Sequence, residues 1–153
     1  MPTSDAELKQ KIEAHLRRQT AGEVAIRSLA RLPGGACQDN FCIDLWLEAG
    51  EIPGERRMVL RSDARQSLPA SIGRLEEFAV VRAAAAAGVL TPNARWLAAD
   101  LVRDGAYAYF MDWVEGEAIG RRVIRNPELA EARQRLPAQL ADALSRIHSV
   151  TPA

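Results

Sequence analysis

The sequence predicts an α+β fold: a helix, three strands in an antiparallel meander, a second helix, two more strands and a final amphipathic helix. Three observations lead there. Between Val24 and Leu47, two segments alternate apolar and polar residues at the period of a strand. The breaks between strand segments are short and rich in Gly and Pro, which favours pairing of sequence neighbours. Three other segments repeat apolar residues every three or four positions, the period of a helix.

Ser4 followed by Glu7 has the spacing of a capping box, and Leu8, Ile12 and Leu16 recur every fourth residue until Gly22, giving one amphipathic helix. From Val24 the period becomes two. Val24, Ile26 and Ser28 alternate with Ala25, Arg27 and Leu29 up to Leu32, where Pro33-Gly34-Gly35 breaks the run. In the next strand Phe41, Ile43, Leu45 and Leu47 share one face, Cys42, Asp44, Trp46 and Glu48 the other, and Gly50 ends it. A third strand, Arg57 to Ser62, follows the Pro53-Gly54 turn and completes an antiparallel meander.

A helix of about four turns is expected from Pro69 or Ser71 through Ala87, with Ile72, Leu75, Phe78 and Val81 as its apolar face. Gly88 stands where a left-handed residue ends a helix, with Pro92 beyond. Two more strands are expected at Ala94 to Ala99 and Ala106 to Val114, the latter carrying Tyr107, Tyr109 and Met111 on one side. Asn126-Pro127 is a cap with a first-turn proline, and Leu136, Leu140, Leu144 and Ile147 mark a final amphipathic helix ending near Thr151-Pro152.

The 153 residues carry 20 basic and 20 acidic side chains, so formal charge is zero, and 48% are hydrophobic. That suits one folded domain, and it argues against a nucleic-acid partner, which would call for a basic face. No apolar run approaches the roughly 20 residues of a membrane span, and the N-terminus lacks the pattern of a signal peptide, so a cytoplasmic protein with no membrane partner is expected. Cys37 and Cys42 lie too close together, without a second Cys or His pair, to frame a disulfide scaffold or a zinc site. Lys9 and Lys11 are the only lysines, so any chemistry beyond the first helix must use arginine as its cation.

Three motifs can carry chemistry. Gly34-Gly35 lets backbone N–H groups converge on phosphate oxygens, and the same pair equally serves as a plain turn. Met58-Val59-Leu60-Arg61 is a strand closed by a cation, followed by a helix bearing Glu76 and Glu77. A cation held by a helix carboxylate can grip nucleotide phosphates, but on a helical wheel the two glutamates lie symmetrically about the Ile72/Leu75/Phe78/Val81 stripe, so geometry does not choose between them. Finally, Tyr109-Phe110-Met111-Asp112-Trp113-Val114-Glu115-Gly116 suits a strand running into a hinge whose backbone pairs with a planar base.

Taken in order, Gly34-Gly35, Val59-Leu60-Arg61, Glu77 to Arg82 running into Ala87-Gly88-Val89-Leu90-Thr91-Pro92, and Phe110 to Glu117 resemble the aminoglycoside phosphotransferase family of kinase-like small-molecule phosphotransferases. Gly116-Glu117-Ala118-Ile119-Gly120-Arg121-Arg122 is similar to the branch associated with acyl-CoA dehydrogenases. The resemblance runs from about Val24 onward. It implies an α+β fold with a protein-kinase-like N-terminal lobe, a five-stranded antiparallel sheet with one packed helix, plus the first helices of the helical lobe, divided as an N-terminal helix (1–22), a nucleotide-binding lobe with hinge (23–115), and the start of the C-terminal lobe (116–153). It also implies ATP as the nucleotide and a small-molecule hydroxyl as acceptor, the dehydrogenase-associated branch pointing to a hydroxylated acyl compound or another metabolite. Gly34 and Gly35 would cover the phosphates, Arg61 would replace the usual phosphate-contacting lysine, and Glu77 would be its partner. The Asp112 carbonyl and Val114 N–H would face adenine, with Met111 lining the base pocket.

Phosphoryl transfer further needs a residue to orient the nucleophile and ligands for Mg²⁺. In the family these sit in a His-Gly-Asp-like loop with a following Asn, and at a later Asp. Here His15 precedes Leu16-Arg17, His148 precedes Ser149-Val150, and Asp142 has no Asn at the needed spacing. No catalytic or metal residue is therefore assigned, and Mg²⁺ is expected only with the rest of the helical lobe. The expectation is a fragment of a phosphotransferase, inactive alone. The alternatives are a non-catalytic binding module or half of a split kinase, with the Leu136 to Ile147 face covered by self-association or a partner chain.

Overall fold

The computed structural model describes residues 4–33, 38–64 and 71–151. Helix α1 (Asp5–Thr20) begins at Ser4, whose hydroxyl accepts the Glu7 N–H at 3.2 Å. It ends at Ala21, which takes the left-handed conformation one residue before Gly22. Strands β1 (Val24–Arg31), β2 (Gln38–Leu47), β3 (Gly54–Asp63), β4 (Ala94–Ala99) and β5 (Tyr107–Asp112) form one antiparallel sheet in the order β1-β2-β3-β5-β4. Helix α2 (Arg74–Ala86) connects β3 to β4. After β5 come α3 (Gly120–Arg125), a 3₁₀ turn at Pro127–Leu129 and α4 (Ala130–His148).

The core lies between α1 and one face of the sheet. Leu8, Ile12 and Leu16 pack on Ile43, Leu45, Met58, Leu60 and Phe110, all buried. Phe41, Ile43, Leu45 and Leu47 share this face as their alternation requires. Gly50 closes the β2–β3 turn at φ +100°, and a Cβ there would lie 2.9 Å from the Thr20 Cβ, so both backbone conformation and space favour glycine.

Five expectations need correction. In β1 a bulge between Ile26 and Ser28 inverts the alternation. Val24, Ile26 and Leu29 face the core side, and the Ser28 hydroxyl turns outward to donate to Asp44 at 2.7 Å. β3 begins at Gly54, because pairing with β2 continues through Arg56 and Glu55 although their side chains are exposed. β5 ends at Asp112, two residues early.

Helix α2 starts at Arg74, after Gly73, and its sheet-facing positions are Arg74, Glu77, Phe78, Val81 and Ala85. Ile72 and Leu75 are exposed, so the stripe is rotated from the apolar one expected, and a buried guanidinium takes the place of a leucine. Gly88 has φ +78° and follows the helix as expected.

Helix α3 is an addition to the elements expected from the sequence. Arg133 of α4 ties back to it, donating to the carbonyls of Val123 at 2.9 Å and Asn126 at 2.7 Å. The Asn126 side chain accepts the Glu128 N–H at 3.0 Å, so the expected cap and proline occupy the 3₁₀ turn. Leu136, Leu140, Leu144 and Ile147 form the expected stripe on α4, and all four are exposed. Among the described residues no helix is long and apolar enough to cross a membrane.

Candidate functional site

The second face of the sheet is built by the residues that alternate with the core. On β3, Met58, Leu60 and Ser62 turn towards the core side, so Val59 and Arg61 stand on the other face. Register extends this face across the sheet. Val59 lies opposite Cys42 on β2 and Met111 on β5, and Arg61 lies opposite Asn40 and Tyr109. A half-buried row, Cys42, Val59 and Met111, therefore runs beside a row that carries a cation.

Helix α2 covers one end of this face. The Arg61 Nε donates to Glu77 Oε1 at 2.8 Å, and its Nη2 lies 2.8 Å from the same oxygen. The Tyr109 hydroxyl donates to that oxygen too. Burial, reinforced by this bond to a carboxylate, pushes the Tyr109 hydroxyl far above its ordinary range, so it remains a donor. Phe78 packs edge-on against Tyr109, with ring centroids 5.6 Å apart. Of the two glutamates that helical geometry left equal, the structure brings Glu77 to Arg61, because the buried stripe is centred near Arg74 and Phe78. Glu76 is exposed on the opposite side.

Two contributors, Arg74 and Asp63, were not singled out from the sequence, and a third, Tyr109, was read only as part of the strand running into the hinge. Arg74 has its Nη1 2.5 Å from Glu77 Oε2, Asp63 accepts the Arg74 N–H at 2.9 Å, and Tyr109 meets Glu77 as described. The spacing of Arg74 three residues before Glu77 was a legible ion-pair signal on a helix. Nothing local marked Asp63, whose role depends on where α2 begins.

At the far end of the row, Met111 leads into Asp112. The Asp112 side chain turns to the opposite face, where its carboxylate accepts Arg95 Nε at 3.0 Å and Asn93 Nδ2 at 2.8 Å. Burial alone would raise its pKa, but these bonds outweigh burial and hold it below the usual carboxylate range. On the Met111 side Asp112 thus offers only its backbone. Trp113 N–H donates to the Arg57 carbonyl at 3.3 Å, and the Arg57 guanidinium lies 5.8 Å from the Trp113 ring centre, which fastens the segment to β3. Val114 follows and is exposed.

Arg61, Glu77 and Met111 are thereby brought to one face, while the Asp112 side chain lies on the other and Val114 follows the end of β5. Gly34 and Gly35 lie outside the described residues. The face thus sets two half-buried apolar side chains, Val59 and Met111, beside the cation of Arg61. Among the described residues no group of three His, Cys, Asp or Glu is placed to hold a metal ion. Cys42 is a free thiol whose pKa burial raises, so it is not poised as a nucleophile.

A cavity of about 640 Å³ lies elsewhere, between α2 and the β4 edge, lined by Phe78, Arg82, Asn93, Arg95 and Trp96 among others. It contains neither Arg61 nor Met111, and both Arg95 and Asn93 are already committed to Asp112.

The family model described as the phosphotransferase enzyme family matches residues 28–153. Comparison with curated proteins gave no match.

Proposed function

The chain belongs to the phosphotransferase enzyme family, and from that membership we propose that it supplies the ATP-binding portion of an enzyme that phosphorylates a hydroxyl of a small molecule. The observation that carries this proposal is the Arg61–Glu77 pair, formed beside the Val59–Met111 row. Arg61 takes the place of the phosphate-contacting lysine. Its planar fork is wider than an ammonium, so nucleotide affinity differs from that of a lysine-bearing relative. Gly34-Gly35 covers the phosphates, Met111 lines the base pocket, and the Asp112 carbonyl with the Val114 N–H pairs with the adenine edge. Residues 23–115 act as the nucleotide lobe with its hinge, and residues 116–153 as the first part of the helical lobe.

These 153 residues contain no His-Gly-Asp segment. By themselves they bind nucleotide and do not transfer phosphate, since the segment that would orient the attacking hydroxyl in such an enzyme is the one they lack. The exposed stripe of α4, Leu136 to Ile147, supports this division, because an amphipathic helix in a finished lobe buries such a face. The same stripe favours one second reading, a split enzyme whose catalytic half is a partner chain.

Two measurements test the proposal. Incubation with MgATP and a panel of hydroxylated acceptors should yield no phosphorylated product, and turnover would overturn the assignment of inactivity. ATP should raise the melting temperature in a concentration-dependent way, and the rise should vanish in Arg61→Ala. An unshifted wild-type chain would overturn the nucleotide assignment.

A further inference from the structure

We infer that Arg74 is a positioning residue: with Asp63 and Tyr109 it locks Glu77, and so holds Arg61 in place before any nucleotide arrives. The lock stands on geometry alone; its service to a nucleotide rests on the function proposed above.

Helix α2 sorts its side chains against hydrophobicity. Arg74 is 3% exposed while the neighbouring Leu75 is 39% exposed. A guanidinium is rarely buried unless charge and hydrogen bonds compensate it, and the compensation here is specific. Nη2 donates to the Ile72 carbonyl at 2.9 Å, Nη1 lies 2.5 Å from Glu77 Oε2, and Nε lies 3.6 Å from Asp63 Oδ1. The last two contacts are ionic: neither Nε nor Nη1 has the alignment of a hydrogen bond.

Asp63 does a second job. Gly73 offers no side chain to cap α2, and Asp63 Oδ1 accepts the Arg74 N–H instead, while Oδ2 accepts the Tyr107 N–H at 3.0 Å. One carboxylate at the end of β3 thus fastens both the first turn of α2 and the start of β5.

Consequently both oxygens of Glu77 are engaged from different elements. Oε1 takes Arg61 of β3 and Tyr109 of β5, and Oε2 takes Arg74 from the turn below on its own helix. Contacts at both oxygens restrict rotation of the carboxylate, and with it the Arg61 fork bonded to Oε1. Losing Arg74 releases Oε2 and loosens α2 at the same point. The Glu77 carboxylate then holds the Arg61 fork less firmly through Oε1, and binding weakens accordingly.

The test uses the 153-residue chain and its Arg74→Met, Arg74→Lys and Tyr109→Phe variants. The nucleotide-free readout is solvent exchange of the Arg61 Nε–H by NMR, assigned by its loss in Arg61→Lys and measured at equal intervals below each melting temperature. Exchange should quicken about ten-fold in Arg74→Met and less in Arg74→Lys, and ATP affinity should fall in the same order. If melting drops in Arg74→Met while Nε–H exchange is unchanged, Arg74 is only structural and the inference fails. Should Arg74→Met not fold, Tyr109→Phe decides the matter, since it removes a single hydroxyl: quicker exchange upholds the lock and unchanged exchange overturns it. Quicker exchange in a chain that binds no ATP upholds the lock and overturns the nucleotide assignment.

Discussion

Neutralising Glu77 should destabilise the fold strongly, and neutralising its neighbour Glu76 should not. In Glu77→Gln the amide keeps one acceptor for Arg61 or Tyr109 but loses the charge facing two guanidiniums. The Arg74 side chain is 4% exposed, Glu77 16% and Arg61 23%. Solvent screens such a cluster poorly, so it falls in the regime where removing one partner costs roughly 3–5 kcal/mol; the retained amide puts the expected cost near the lower end, about 3 kcal/mol. For a chain of this length that corresponds to a fall in melting temperature of roughly 6–12 °C. Glu76 is exposed, and Glu76→Gln should stay within about 0.5 kcal/mol of wild type. Urea unfolding followed by far-ultraviolet circular dichroism reads both variants. Equal costs for the two, or a Glu77→Gln cost below about 1 kcal/mol, would refute the placement of α2 and the coupling of its first turn to β3.

Other outcomes follow from the same structure. Ile12 is fully buried between α1 and the sheet, and Ile12→Ala should cost about 2–5 kcal/mol in urea unfolding. Leu140 is 60% exposed, and Leu140→Ala in this chain should change stability by less than about 0.5 kcal/mol by the same assay. His15 is buried against Phe110, its ring stacked at 6.1 Å, and burial, helped by nearby Arg18, lowers its pKa from the usual 6.5. A lowered pKa means that the unfolded chain takes up the proton first as pH falls. Stability is therefore undiminished by this group above pH 6.5, erodes below it, and stops eroding once pH has passed the lower folded value. The urea midpoint should fall less steeply between neutral and mildly acid pH in His15→Phe than in wild type.

Much of this fold was legible because one physical rule governed each stretch. The four-residue spacing of Leu8, Ile12 and Leu16 and the alternation from Phe41 to Leu47 both describe a single buried face, and burial alone decided them. Where two effects competed, the pattern misled. The β1 bulge costs no apolar residue, so Ser28 and Leu29 exchange faces without any break in composition. In α2 the buried stripe includes Arg74 and Glu77, whose burial depends on Asp63, Arg61 and Tyr109, residues distant in sequence or in another element. Hydrophobic periodicity counts them as solvent-facing, which is why it pointed to Ile72 and Leu75. For the site, Arg61 was marked by its place at a strand end, while the choice of Glu77 over Glu76 required the rotation of α2 about its axis.

The most direct test of the nucleotide lobe is isothermal titration of the 153-residue chain with ATP, alongside Arg61→Ala at the same concentrations. Saturable one-to-one binding that weakens at least about ten-fold in Arg61→Ala is the expected result, since the proposal assigns the phosphates to that one cation. Absence of binding, or equal affinity in the two proteins, would contradict the assignment of this face to ATP.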